Sequence, residues 1–147
     1  VLPAIDDAPT MGIDRGLAAF AATSEGVVVE PLRALAKQLV RLKRYQRRVS
    51  RKRKGSANRK KAVMRLAALH RRIARQRSDW LHKLTTDLAD CHPVIALEDL
   101  RIENMARSAA GTTEAPGKNV RAKAGLNRGI LDAGWGEFAR QLTYKLR

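Results

Sequence analysis

Two short apolar runs of this chain end in acids, although its formal charge is +16. "GIDRG" at 12–16 carries Asp14, and "VIALEDL" at 94–100 carries Glu98 and Asp99. Carboxylates at the carboxyl ends of neighbouring strands lie where ligands gather in open α/β sheets. Held a few ångströms apart, Asp14 and Glu98 repel each other unless a divalent cation lies between them. Magnesium suits such a pair, because it takes hard oxygen ligands, keeps water and borrows its remaining ligands from substrate phosphates. Two such ions, roughly 3.5–4 Å apart, clamp the attacking and leaving oxygens of a phosphodiester. Taken singly, an Asp near a glycine reads as a turn residue and a Glu-Asp pair as a cap. Strand alternation turns Asp99 away from Glu98, and a turn role suffices for it.

What raises the two acids above that reading is the charge elsewhere. Residues 33–83 hold 20 of the 30 Lys and Arg against a single acid, Asp79, a local balance of +19. The rest of the chain is at −3. A run this lopsided repels itself unless a polyanion neutralises it, and nucleic acid is the leading partner ahead of a membrane surface or an acidic protein. The densest stretch names the expected phosphate contacts: Arg44, Arg47, Arg48, Arg51, Lys52, Arg53, Lys54, Arg59, Lys60 and Lys61.

Other chemistries find little support. No stretch approaches the ~20 apolar residues of a membrane span, so no membrane partner is expected. The start, "VLPAIDDAPT", lacks a basic region followed by an apolar core and does not read as an export signal. Cys91 is the one cysteine, which excludes an internal disulfide and a cysteine zinc cluster within this chain, so no zinc is expected. A reducing, cytoplasmic setting follows. His70, His82 and His92 show no metal-ligand spacing, while Trp80, Trp135 and Phe138 fall on apolar stripes and read as core.

These residues need elements to position them. Residues 11–15, 17–23 and 26–30 read as three short strands of an antiparallel meander, with turns at "RG" and "SEG". From about 31 to 89 the period becomes helical. Leu32, Leu35, Leu39, Leu42 and Val49 mark one helix face, and Val63, Leu66, Leu69, Ile73, Trp80, Leu84 and Leu88 mark another. "KGSAN" at 54–58 breaks them, with Ser56 or Asn58 as a cap, so an antiparallel basic hairpin is expected. Pro93 closes it, and 94–100 reads as a central, parallel strand reached by that helical crossover. "GTTEAPGKN" at 111–119 reads as a mobile loop, and a last helix should begin near Asn127 and present Ile130, Gly134, Phe138 and Leu142. The fold class is therefore α/β, a sheet domain with an inserted basic hairpin at 31–90.

Four blocks in order carry a resemblance: "GIDRGL", the basic run from "LKRYQRRVSRKRKGSANRKK" to "LTTDLA", "VIALEDLRIENM" and "LDAGWGEFARQLTYK". Together they resemble the OrfB/TnpB family, transposon-encoded proteins related to the compact type V CRISPR effectors. The resemblance implies a RuvC-like, ribonuclease-H-type mixed sheet with three metal-binding acids, guided by RNA to cut DNA, and an association with insertion-sequence transposition. By motif, Asp14 matches the first catalytic, metal-holding acid and Glu98 the second. The implied answer for the strand-end carboxylates is Mg2+- or Mn2+-dependent phosphodiester hydrolysis.

The departures carry expectations too. The family's third acid follows a zinc ribbon of two Cys-x-x-Cys pairs, and Cys91 belongs to no such ribbon, while Asp132 matches the helix before it. With the RNA-holding amino-terminal part also missing, residues 1–147 are expected to be a partial RuvC-like domain that holds metal weakly. The competing reading is a non-catalytic nucleic-acid-binding remnant of a decayed insertion sequence. An actin-like nucleotide-binding fold, suggested by "DRG" alone, would need further phosphate-binding glycine loops.

Overall fold

A computed structural model describes residues 10–146; the amino-terminal "VLPAIDDAP" and Arg147 lie outside them. The chain is mixed α/β. Its strands are β1 (Thr10–Asp14), β2 (Ala21–Thr23), β3 (Val28–Val29) and β4 (Val94–Leu97). They form one sheet in the order β3-β2-β1-β4. The β1–β2 and β2–β3 pairs are antiparallel, and β1 pairs with β4 in parallel. The helices are α1 (Ala34–Ser50), α2 (Ala57–Cys91), α3 (Ile102–Met105), α4 (Val120–Ala133) and α5 (Trp135–Lys145).

The chain divides into two compact units, one running to Leu32 and resuming at Trp80, the other Arg33–Asp79. In the sheet unit, β1 alternates strictly: Met11 and Ile13 are buried, whereas Asp14 is exposed. The core gathers those two side chains with Phe20, Leu81, Ile130, Trp135, Phe138 and Leu142. Phe20 is its hub, meeting Trp80 edge-on at 4.7 Å and Phe138 at 5.2 Å between ring centroids. Edge-to-face aromatic pairs add to area burial because a positive ring edge meets a negative face.

Several elements differ from the sequence reading, each for a visible reason. The second strand is shorter than 17–23, because residues 17–20 bend and Phe20 N–H donates to the Val29 carbonyl at 2.8 Å while its ring enters the core. The expected break between helices is present, and Ser56 caps α2 by accepting from Arg59 N–H at 3.2 Å. On α2, Leu81 and Thr85 are fully buried, and Trp80, packed against the core, is partly buried. The last helix starts at Val120 and is divided at Gly134, whose φ of 76° is left-handed. Asn127 therefore lies inside α4, where its amide N–H donates to the Ala106 and Arg107 carbonyls at 2.8 and 3.0 Å. Residues 111–119 contain a tight bridge between Gly111 and Pro116, with Gly117 N–H donating to the Ala110 carbonyl.

One polar chain crosses this core. Thr85 and Gln141 are fully buried, with Thr85 Oγ1 3.0 Å from Gln141 Oε1 and accepting from Lys145 Nζ at 2.8 Å. Gln141 in turn donates to Glu137 at 2.9 Å, and Arg140 grips the same carboxylate at 2.6 and 2.9 Å. The Arg140 and Gln141 hydrogen bonds hold the Glu137 carboxyl below its usual range. Thr85 and Gln141 thus both have partners, which matters because an orphaned buried group costs roughly 1–3 kcal/mol.

The aromatic hub generates a direct test. Phe138→Ala removes a fully buried ring and should cost about 3–5 kcal/mol in chemical denaturation. Leu131→Ala, at a side chain 56% exposed, should stay within roughly 0.5 kcal/mol. Equal effects of the two would contradict this core.

Candidate catalytic site and nucleic-acid interface

The parallel register of β1 and β4 runs from Thr10↔Val94 to Ile13↔Leu97. The next residue on each strand is Asp14 and Glu98, so the two acids follow the last paired positions side by side. Adjacent strands are about 4.8 Å apart. Ile13 and Leu97 belong to the core, and alternation turns Asp14 and Glu98 to the opposite face, where both are exposed. One shallow recess is lined by both acids with Gly12, Ala22, Ser24 and Ala96. Ile13, Thr23 and Leu97 complete the lining, and the small residues Gly12, Ala22, Ser24 and Ala96 leave space around the exposed carboxylates. Ser24 braces it, donating its N–H to the Gly12 carbonyl at 2.8 Å and accepting from Gly12 N–H through Oγ at 3.1 Å.

Arg15 is the residue the sequence reading left in a turn. It follows the parity of Met11 and Ile13 to the core side and is only 8% exposed. Its guanidinium donates to the main-chain carbonyl of Glu98 and, at 3.5 Å, to that of Trp135. Nε is buried without a hydrogen-bond partner. Burial pushes the Arg15 pKa down, and the charges of Glu98, Asp99 and Asp14 oppose that shift. A buried cation therefore lies within electrostatic reach of all three acids and tethers the segment that carries two of them. Strand parity in "MGIDR" was the signal that could have found it.

The donor set is sparse. Among the described residues, no group of three or more His, Cys, Asp or Glu is placed to hold a metal ion. Asp14 and Glu98 fit the way magnesium is held by one or two carboxylates with water and substrate oxygens, and do not form a closed cage. His92 instead approaches Glu25 at 3.8 Å, and His82 Nδ1 lies 3.4 Å from the Tyr144 hydroxyl. Asp99 is exposed, as is Cys91. No helix among the described residues is long and apolar enough to cross a membrane.

The basic residues lie in the other unit. Arg44, Arg47 and Arg48 are on α1, Arg51, Lys52, Arg53 and Lys54 on the connection, and Arg59, Lys60 and Lys61 at the start of α2. All are exposed except Arg59, which is half-buried. Tyr45 and Arg48 of α1 and Lys61 and Arg65 of α2 line one recess, so the helices fold back on each other there. The Tyr45 ring has Arg41, Arg44 and Arg48 at 5.5, 6.0 and 5.9 Å from its centroid. Arg41 donates to the phenol oxygen at 3.3 Å, and this bond is the main cause that lowers the Tyr45 pKa. Tyr45 was also missed from sequence; an aromatic with arginines at i−4, i−1 and i+3 was the available signal.

Known proteins resemble this chain over nearly its whole length. The chain is 48% identical over 143 residues to the "Putative RNA-guided DNA endonuclease InsQ" of Escherichia coli (strain K12), covering 97% of this chain and 36% of that protein. It is 37% identical over 145 residues to a "Putative RNA-guided DNA endonuclease" of Streptomyces pristinaespiralis, covering 99% of this chain and 32% of the relative. The chain thus spans about a third of the length of these relatives. Residues 3–109 match the OrfB_IS605 family, described as "Probable transposase". With that match extending over well over half of its length, and holding both strand-end acids and the basic helices, the chain belongs to the OrfB_IS605 transposase family.

Proposed function

We propose that this chain is part of an RNA-guided, metal-dependent DNA endonuclease with a RuvC-like, ribonuclease-H-type core. Asp14 and Glu98 are two of its metal-holding acids, and the basic residues of α1, the connection and α2 bind nucleic acid. The reading rests above all on the β1–β4 register, which sets Asp14 beside Glu98 at an open recess. The names of the relatives support guide RNA and DNA as partners.

The chain's own residues would divide the work. The exposed cations draw in a polyanion, and the absence of bulky side chains at Gly12, Ala22, Ser24 and Ala96 leaves room for a phosphodiester backbone over the acids. Asp14 and Glu98 would hold Mg2+ or Mn2+, which supplies Lewis-acid stabilisation of phosphoryl oxygens and an activated water. Arg15 is a positioning residue. Its bond to the Glu98 carbonyl fixes the end of β4, and its charge reduces the mutual repulsion of the acids. Two carboxylates with water and substrate oxygens make a weak site, so millimolar rather than micromolar affinity is expected in the absence of nucleic acid.

Three measurements test this. Mn2+ titration followed by electron paramagnetic resonance should show weak binding that Asp14→Asn and Glu98→Gln each abolish; binding unchanged in both variants would remove the acids from the proposal. Affinity for duplex DNA should fall with salt at a log–log slope of about −4 to −5 for six phosphate contacts, and a nearly flat dependence would mean that the run is a solvated face. Arg15→Met should cost about 1.5–3 kcal/mol of stability, the scale of hydrogen bonds from a charged donor. A neutral result would show that Arg15 does not hold the Glu98 segment.

A further inference from the structure

The recess between α1 and α2 is more than a patch of positive charge. Its volume is about 380 Å³, inside the ~300–1,000 Å³ range of small-ligand sites. Tyr45 and Arg48 come from α1, three residues apart, Lys52 from the connection that follows it, and Asn58, Lys61 and Arg65 from α2 at spacings of three and four. Each helix therefore turns one face to the recess, and Lys52 closes it from the connection. Four cations converge there, while residues 33–78 contain no Asp or Glu to neutralise them. Their repulsion calls for an anion from outside the chain. A free phosphate alone would need neither this volume nor an aromatic wall. Tyr45 supplies a half-buried ring already surrounded by guanidinium groups. Asn58 adds an amide with both a donor and an acceptor, the combination that base edges present.

A ring, an amide and a ring of cations suit a nucleotide. The base must be unpaired, because a base inside a duplex has both faces covered by its neighbours and cannot enter a recess. We infer that this recess binds one unpaired nucleotide, its base stacked on Tyr45 and its flanking phosphates held by Arg48, Lys52, Lys61 and Arg65. The inference deepens the nucleic-acid reading above and rests on it. It separates two modes in the basic unit: exposed residues such as Arg47 contact any phosphate backbone, whereas the recess selects a flipped or bulged position. RNA and DNA share the required chemistry.

The probe is a hairpin oligonucleotide carrying 2-aminopurine either as a single bulged base or paired within the stem, each made as RNA and as DNA. Titrating residues 1–147 should quench the bulged fluorophore through stacking and leave the paired one nearly unchanged. Quenching in the RNA arm, the DNA arm or both supports the site and identifies the strand it takes. Tyr45→Leu should abolish the quench and weaken bulged-hairpin binding at least about fivefold, with the paired hairpin and the salt slope unchanged. Tyr45→Phe should retain both. Arg47→Ala, on the same helix but outside the recess, should weaken both hairpins equally. Binding of the wild-type chain without preferential quenching of the bulged base overturns the inference alone, and needs no variant to fold. Equal weakening of both hairpins by Tyr45→Leu, with its helical circular dichroism intact, also overturns it. Failure to bind either hairpin at low salt overturns the nucleic-acid reading and the inference with it.

Discussion

A parallel pair of strands cannot be closed by a tight turn, and the pairing of β1 with β4 governs the rest of this molecule. Everything from Arg15 to Pro93 lies between the two partners in sequence, so the return to the sheet has room for a whole unit of its own. The register also sets which residues meet. Side chains alternate along a strand, so a slip of one position in β1 would send Asp14 into the core and bring Met11 and Ile13 to the open face. Burial of those two at 2% and 4% exposure is what holds the acid outside. The apolar half of the strand thus fixes the chemistry of the polar half.

The two units carry opposite electrostatic problems. At the sheet edge, exposed carboxylates repel one another and would repel a phosphodiester. Arg15 meets part of that repulsion from the core side, at the expense of burying a guanidinium with one nitrogen unpartnered. In Arg33–Asp79 the excess is positive, and its acids are too few to balance it. On the proposed reading, a polyanion relieves the second unit and a divalent cation relieves the first. Neither need could be met by exchanging surface charges within the chain without losing the ligand chemistry. This explains why the acids and the cations are segregated in sequence rather than interleaved as on an ordinary charged helix.

The acids were legible because two simple periodicities expose them: an apolar run of strand type ending in Asp14, and another ending in Glu98. The helical stretch was legible through its leucines and the Gly55 break. Contacts that depend on a partner far along the chain were not. Arg15 looks like a turn residue until the Glu98 and Trp135 carbonyls are in view. Thr85 and Gln141 are polar residues that no hydrophobic pattern would assign to a core, yet each is buried because the other satisfies it. Trp80, read as core from the apolar stripe, does pack against Phe20, but the neighbouring Leu81 is the more deeply buried, since a helical stripe is wide enough to admit both. The ribonuclease-H-type core belongs to the proposed reading and rests on family resemblance rather than on the periodicities.

The division between α4 and α5 reaches the candidate site by a chain of contacts. A left-handed residue costs an L side chain roughly 1–2 kcal/mol, which glycine avoids. Gly134 takes that conformation, ending one helix and starting the next. A continuous helix would fix Trp135 by the screw of α4; the left-handed residue frees it from that phase. Trp135 is buried at 2% exposure, its indole N–H donating to the Phe20 carbonyl at 3.3 Å. Its own carbonyl accepts from Arg15, whose other amino group holds Glu98. The placement of a carboxylate on β4 therefore depends on a glycine that looks, in sequence, like one more position on a helical stripe. Residues without chemistry of their own thus set the positions of Asp14 and Glu98.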